Sequence, residues 1–221
     1  EKGILCEVYA GTLRLEESGE TILPDSMADA EAVLLLDATP RIERKFVGEQ
    51  GLEIEGTVEF SLLLSAEGNL LQVLTHRLPF EGRAEYRDGK PDAELKVVPT
   101  MEYATARLLN PRRVSLRCQV NADVRVWEVR RLRPEITGAE TVEDDQTLRR
   151  LTMPVKTAVP LSVEERGVTA AQDLELDSAC PQIQEILLSR LTLLPGEIKV
   201  RDGEAEVTSQ AVLNCLYGTP E

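Results

Sequence analysis

The chain has 221 residues, with 25 Lys and Arg against 39 Asp and Glu, and a formal net charge of −14. Phosphate backbones repel so acidic a protein, which argues against nucleic-acid binding. The longest apolar run, residues 32–36, is far shorter than the roughly 18–20 residues that span a bilayer, so we predict no transmembrane segment.

Alternation of apolar and polar residues is the dominant signal along the chain. Because successive side chains of a strand point to opposite faces, this pattern predicts strands with one buried and one wet face. The predicted strands are residues 5–10, 52–64, 72–77, 94–98, 114–127, 152–159 and 205–217. In the second of these, Gly56 interrupts the apolar row.

Helical patterns are few and short. Ser26 is a candidate cap for a turn over residues 27–33, and Pro181 is a candidate first residue of a turn over 181–188. We therefore predict a mainly β fold, with antiparallel sheet or sandwich units and short helical turns.

An internal repeat indicates how the chain is organised. The segment 15–19 resembles 163–167, and from the Leu pairs at 34–35 and 187–188 the two copies align at a spacing of 153, so that Glu53 matches Glu206. We predict a complete first unit over 24–160 and a partial second copy over 161–221. Either the native chain continues or another segment completes the second copy, and the N-terminal strand segment 1–23 is the candidate. Two unrelated acidic strands remain an alternative.

Residues suited to catalysis or metal binding are scarce. One His and four scattered Cys leave little material for a thiol, imidazole or transition-metal site, and we interpret the cysteines as reduced thiols, with a single disulfide left open. His76 lies in a strand pattern without a nucleophile motif. The acidic stretch 140–145 lacks the ligand spacing of an EF-hand and is interpreted as a solvated loop. We predict no catalytic residue, no metal ligand and no cofactor.

One basic cluster stands out in this acidic chain. On the wet face of the strand 114–127 lie Arg117, Arg125 and Trp127, and Arg and Trp are enriched at protein interfaces. The face is a candidate docking surface for an acidic partner or for another copy of the chain. Cross-strand charge pairing with Glu-rich neighbours is the alternative.

Several segments resemble the SPOCS (DUF3794) domain, which occurs in sporulation proteins of Firmicutes, including a spore-coat morphogenetic protein. The resemblance covers about 24–130 and part of a second copy over 170–221. It is carried by the row leading through Gly56, a Pro-Phe strand start, an Asn-x-Arg turn, a Pro-x-Ile-x-x-Ile-Leu pattern and a Leu-Tyr strand end. The motif residues are Pro79, Phe80, Asn110, Arg112, Pro181 and Tyr217.

The resemblance implies a non-enzymatic, β-rich structural or protein-interaction module in the assembly of a spore coat or envelope. It also implies a cytoplasmic location on the mother-cell side. Protein partners, self-association included, are then expected. No LysM-like segment is visible, so no partner of such a module is inferred. A surface carbohydrate-binding β-sandwich is the alternative, and a hydrolase with two carboxylates is a third hypothesis without support from spacing.

Overall fold

The computed structural model describes residues 3–48, 51–87, 89–90, 92–131, 160, 162–163, 165 and 167–219. The predicted mainly β class is confirmed: the described residues form eight strands, all paired antiparallel, and one short 3₁₀ turn at Glu67–Asn69. The strands are β1 Gly3–Ile22, β2 Ala30–Gly48, β3 Gly51–Ala66, β4 Leu70–Ala84, β5 Glu94–Asn110, β6 Arg113–Arg131, β7 Glu185–Arg201 and β8 Glu204–Gly218. No helix in these ranges is long and apolar enough to cross a membrane.

The first six strands form two facing three-stranded sheets. One sheet has the order β1-β6-β5 and the other β2-β3-β4, while β5 approaches β2 and β4 approaches β1 at the two sides. The alternating row of β6 is completely buried, from Val114 through Cys118 to Val126, and it faces the equally buried row of β3. Two alternating faces that exclude water from one another make the core of a β-sandwich.

The N-terminal segment does not complete the second unit, contrary to the expectation for residues 1–23. β1 pairs with β6 over its whole length, from Gly3 opposite Arg131 to Ile22 opposite Arg113, and so belongs to the first sandwich. The physical reason is that β6 needs a hydrogen-bonding neighbour on each edge, and β5 provides only one of them. The first unit therefore begins at the start of the described chain, not at residue 24.

Both predicted helical turns are also wrong. Residues 27–33 run from a turn straight into β2, and residues 181–188 contain extended chain that enters β7. In each case an apolar segment pairs with a neighbouring strand, and this pairing overrides a local cap or Pro signal. The strand predicted at 152–159 lies outside the described residues.

Strands β7 and β8 form a separate hairpin that repeats β2–β3 at the spacing of 153. Ala38 pairs with Phe60, and Leu191 pairs with Leu213, which are the positions 153 residues later. The bulge between Val33 and Leu35 likewise has its counterpart between Ile186 and Leu188. A shift of one residue in pairing would turn every side chain of a strand to the other face of the sheet. A shared register therefore means that corresponding residues of the two hairpins lie on corresponding faces.

Candidate interaction surface

The hairpin β7–β8 presents an apolar face that corresponds to the buried face of β2–β3. Its β7 row and its β8 row lie side by side in register. We call these residues the hairpin face: Ile186, Ser189, Leu191, Leu193, Pro195, Ile198 and Val200 on β7, and Ala205, Val207, Ser209, Ala211, Leu213, Cys215 and Tyr217 on β8.

Exposure separates the two copies. In β3, Ile54 and Phe60 are 1% and 0% exposed, whereas their counterparts Val207 and Leu213 are 63% and 45% exposed. Leu193 on β7 is 65% exposed. A soluble monomer rarely leaves an apolar row of this length open to water, and such patches mark interaction sites.

The hairpin face contains no charged residue. The neighbouring positions of opposite orientation include the pairs Lys199 with Glu206 and Arg201 with Glu204, so the charges of the hairpin lie on its other face. Charged residues are depleted at the centres of protein interfaces because their desolvation costs free energy. The face therefore has the composition of an interface centre, although the chain as a whole is strongly acidic.

Gly56 of β3 marks a position where β4 packs on the first hairpin. The described residues contain no corresponding strand beside β8. A Cβ on Gly56 would collide with the ring of Phe80 on β4 and with the carbonyl oxygen of Arg41 on β2. The counterpart of Gly56 is Ser209, which carries a Cβ, and within the described residues β8 pairs only with β7. The Phe80 ring therefore favours a glycine at position 56, whereas no strand among the described residues packs on Ser209 in this way.

The hairpin lies beside the first unit near Arg190. Arg190 Nη1 lies 3.9 Å from Asp37 Oδ1, and residues of both hairpins line a cleft of about 580 Å³ beside this ion pair. Arg190 is the counterpart of Asp37 at the spacing of 153. Ser189 and Cys215 of the hairpin face line this cleft, while the β7 part of that face from Leu191 to Val200 is exposed in the part of the chain that the structure describes.

The predicted basic face lies on the outside of the β1-β6-β5 sheet. Arg117 and Arg125 are exposed and Trp127 is half-buried, so the structure places all three on one face, as expected. Arg125 forms an ion pair with Glu7 of β1 at 3.4 Å. For Arg125 the geometry matches the alternative, cross-strand charge pairing. No ion pair of Arg117 is present among the described residues.

Trp127 is a poor platform for a sugar ring. Its register neighbours are Glu7 and Glu94, and its buried indole Nε1 has no hydrogen-bond partner within the described part of the chain. Tyr103 pairs on the same face but stands opposite Gln119, which is roughly 26 Å from Trp127 at about 3.3 Å per strand residue. Two rings so far apart cannot both stack on a monosaccharide or disaccharide.

Arg112 binds the backbone of a neighbouring loop, and we call this set of contacts the Arg112 clamp. Its guanidinium donates to the carbonyl oxygens of Leu23, Pro24 and Met27 at 3.0, 2.9 and 2.6 Å, and it lies 3.3 Å from Asp29 Oδ1. These bonds hold the loop between β1 and β2 against the turn between β5 and β6. A planar fork with five donors suits this task, which a Lys ammonium would perform less well.

The other family-like residues have local roles. Asn110 Oδ1 accepts a hydrogen bond of 2.9 Å from the backbone N–H of Arg112, which fixes the turn before β6. Phe80 is buried against Gly56, while its neighbour Pro79 is exposed on β4. Pro181 is exposed before β7, and Tyr217 pairs with Ile186 at one end of the hairpin face. The structure does not bring these residues together into one site.

A buried polar pair closes one end of the sandwich. Tyr86 Oη donates a 2.7 Å hydrogen bond to Glu128, which is 3% exposed and has Lys90 and Arg130 at 3.7 and 3.5 Å. The bond from Tyr86 is the main reason that the pKa of Glu128 is lowered. Burial and the same bond raise the pKa of Tyr86 to about 12. Both groups have hydrogen-bond or ion-pair partners inside the fold, so we interpret the pair as stabilising the sandwich and not as a binding site.

Residues that could hold a metal ion do not cluster in the described ranges. His76 lies on β4 opposite Phe60 and is half-buried. Cys6, Cys118, Cys180 and Cys215 are all free thiols. The acidic stretch 140–145 lies outside the described residues.

The sequence does not predict the hairpin face itself. Its alternation predicts the row of β8, whereas residues 181–188 predict a helical turn and the chain between them and β8 carries no predicted strand. The spacing of 153 carries the signal for β7, because it aligns residues 185–201 with the β2 strand of the first unit. The face follows once β2 is recognised as a strand.

Searches against protein families, curated proteins and solved structures found no match to this chain.

Proposed function

We propose that the protein is a non-enzymatic structural and protein-interaction module that acts in spore coat or envelope assembly of a spore-forming Firmicute. The observation that carries the interaction role is the hairpin face, an uncharged and exposed copy of a face that is buried elsewhere in the same chain. The place of action rests on the resemblance of residues 24–130 and 170–221 to the SPOCS domain. It implies the mother-cell side of the developing spore.

The way in which such a module would act follows from sheet physics. A sheet face of this kind is stabilised when a second apolar face excludes water from it, as β6 does for β3. Assembly would therefore proceed by burial of the hairpin face against a protein surface.

A binding experiment with coat and envelope proteins tests the proposal. The tagged chain is incubated with a solubilised coat and envelope fraction from sporulating cells, and retained proteins are identified by mass spectrometry. The matched control is the Leu193→Asp variant, which places a charge in the centre of the hairpin face. We expect known coat or envelope proteins to be retained by the unmodified chain and lost with the variant. Retention of none by the unmodified chain would contradict the proposal.

The carbohydrate-binding alternative is not favoured by any contact on the Trp127 face. A glycan-binding signal that disappears in Trp127→Ala would restore it.

A further inference from the structure

We propose that the hairpin face binds a second copy of this chain, with two β7–β8 hairpins packed face to face about a two-fold axis. This inference rests on the proposed interaction role and names the partner.

At three levels of the hairpin face, a larger β7 side chain pairs with a smaller β8 side chain. Leu193 stands beside Ala211, Pro195 beside Ser209 and Val200 beside Ala205. A two-fold axis that runs parallel to the strands, midway between two stacked hairpins, places each β7 row over the β8 row of the other copy. At these three levels large side chains then meet small ones, which favours packing of the surface against itself. At the levels of Leu191–Leu213 and Ile198–Val207, two apolar side chains meet.

The area is sufficient for a weak to moderate dimer. Strands of this length span roughly 50 Å at about 3.3 Å per residue, and two strands about 4.8 Å apart present a face of roughly 500 Å². Two such faces bury about 1,000 Å² in total, near the lower bound for specific interfaces. We therefore expect a reversible dimer that forms with rising protein concentration.

The distribution of charge on each copy leaves the proposed interface free of charged residues. Each copy carries a formal net charge of −14, and none of it lies on the hairpin face. Two copies repel at long range, and salt screens this repulsion without weakening an apolar contact. Association through the hairpin face should consequently strengthen with salt, whereas association through the basic face around Arg117 should weaken.

Sedimentation of the full chain over a wide concentration range tests the proposal. We expect a monomer–dimer equilibrium that shifts to dimer as salt rises from about 0.05 to 0.5 M. Leu193→Asp should weaken association by roughly tenfold or more, since a carboxylate would have to leave water. Its matched control, Thr192→Asp on the opposite face of β7, should associate as the unmodified chain does. Circular dichroism of each variant checks that strand content is retained.

Two thiols supply a readout that does not depend on any variant. Cys215 lies on the hairpin face, Cys180 lies before β7, and both are exposed. Alkylation followed by peptide mass spectrometry should show Cys215 becoming slower to react than Cys180 as the dimer forms.

Three results would overturn the proposal: a monomer at all concentrations and salt levels, a dimer that Leu193→Asp leaves intact, or a dimer without protection of Cys215. A chain that stays monomeric but still retains coat proteins would remove only the self-association. Loss of coat binding with an intact dimer would instead remove the place of action under the proposed function.

Discussion

The hairpins β2–β3 and β7–β8 share a pairing register and corresponding bulges, yet only the first is buried. β4 pairs with the open edge of β3, and the β1-β6-β5 sheet covers its face. Within the described residues, β8 has neither. The strand pattern alone therefore specifies a hairpin and its two faces. Burial of one face depends on which other strands of the protein pack against it.

The largest expected effect is a difference between equivalent core positions. Phe60→Ala should lower the free energy of unfolding by about 3–5 kcal/mol, because Phe60 is fully buried and the cavity cannot refill. Leu213→Ala, its counterpart, should cost less than about 1 kcal/mol in dilute solution, where the side chain is largely exposed. Urea unfolding measures both. Equal losses would show that the second hairpin is buried in the monomer.

A glycine and its counterpart sharpen the comparison. Gly56→Ala should destabilise by roughly 1–3 kcal/mol, since the new Cβ would collide with the ring of Phe80 and the carbonyl of Arg41. Ser209→Ala should be nearly neutral. The midpoint of thermal unfolding reports each change, and a neutral Gly56→Ala would mean that β4 packs more loosely than its contacts indicate.

The Arg112 clamp belongs to the first unit, so its loss should affect that unit. Arg112→Lys keeps the charge but cannot reach all three carbonyls, and we expect a loss of about 1–2 kcal/mol. Arg117→Lys, on an exposed side chain, is the control and should change stability by less than about 0.5 kcal/mol. Urea unfolding measures both variants. Equal changes in the free energy of unfolding would show that the contacts of Arg112 do not stabilise the first unit.

The smallest expected effect is the pH dependence from Glu128. Its pKa is lowered in the fold, chiefly by the bond from Tyr86. The stability that it contributes is therefore complete above its ordinary pKa of 4.5 and is lost as pH falls through the lower folded value. Glu128→Gln should lose less stability than the unmodified chain between pH 5 and pH 2, as measured by urea midpoints. Parallel curves would exclude a contribution from this group.

Much of the fold follows from the sequence, because alternation predicts strands wherever it is continuous. The row from Val114 to Val126 lies within β6 as predicted, and the spacing of 153 aligns the predicted row of β8 with that of β3, whereas β7 is not predicted as a strand. β1 was placed wrongly because Gly11 and Gly19 interrupt its inward row, and because its partner is about 100 residues away along the chain. A local pattern does not reveal so distant a pairing.

The candidate site was less predictable than the fold. The Arg117–Arg125–Trp127 face was proposed from composition, but composition cannot show that Glu7 pairs with Arg125 across β1 and β6. The hairpin face required knowledge of which strands are left uncovered, and that depends on long-range packing. The role of Arg112 likewise appears only once the β1–β2 loop folds against it.

Hydrogen exchange of the full chain at low micromolar concentration distinguishes a covered second hairpin from an uncovered one. Peptides from β3, residues 51–66, and from β8, residues 204–218, are followed by mass spectrometry. The account predicts slow exchange in β3 and exchange faster by at least about a hundredfold in β8, because only β3 is enclosed in a cooperative core. Equal protection of the two strands at the lowest concentration would contradict the claim that the second hairpin is uncovered.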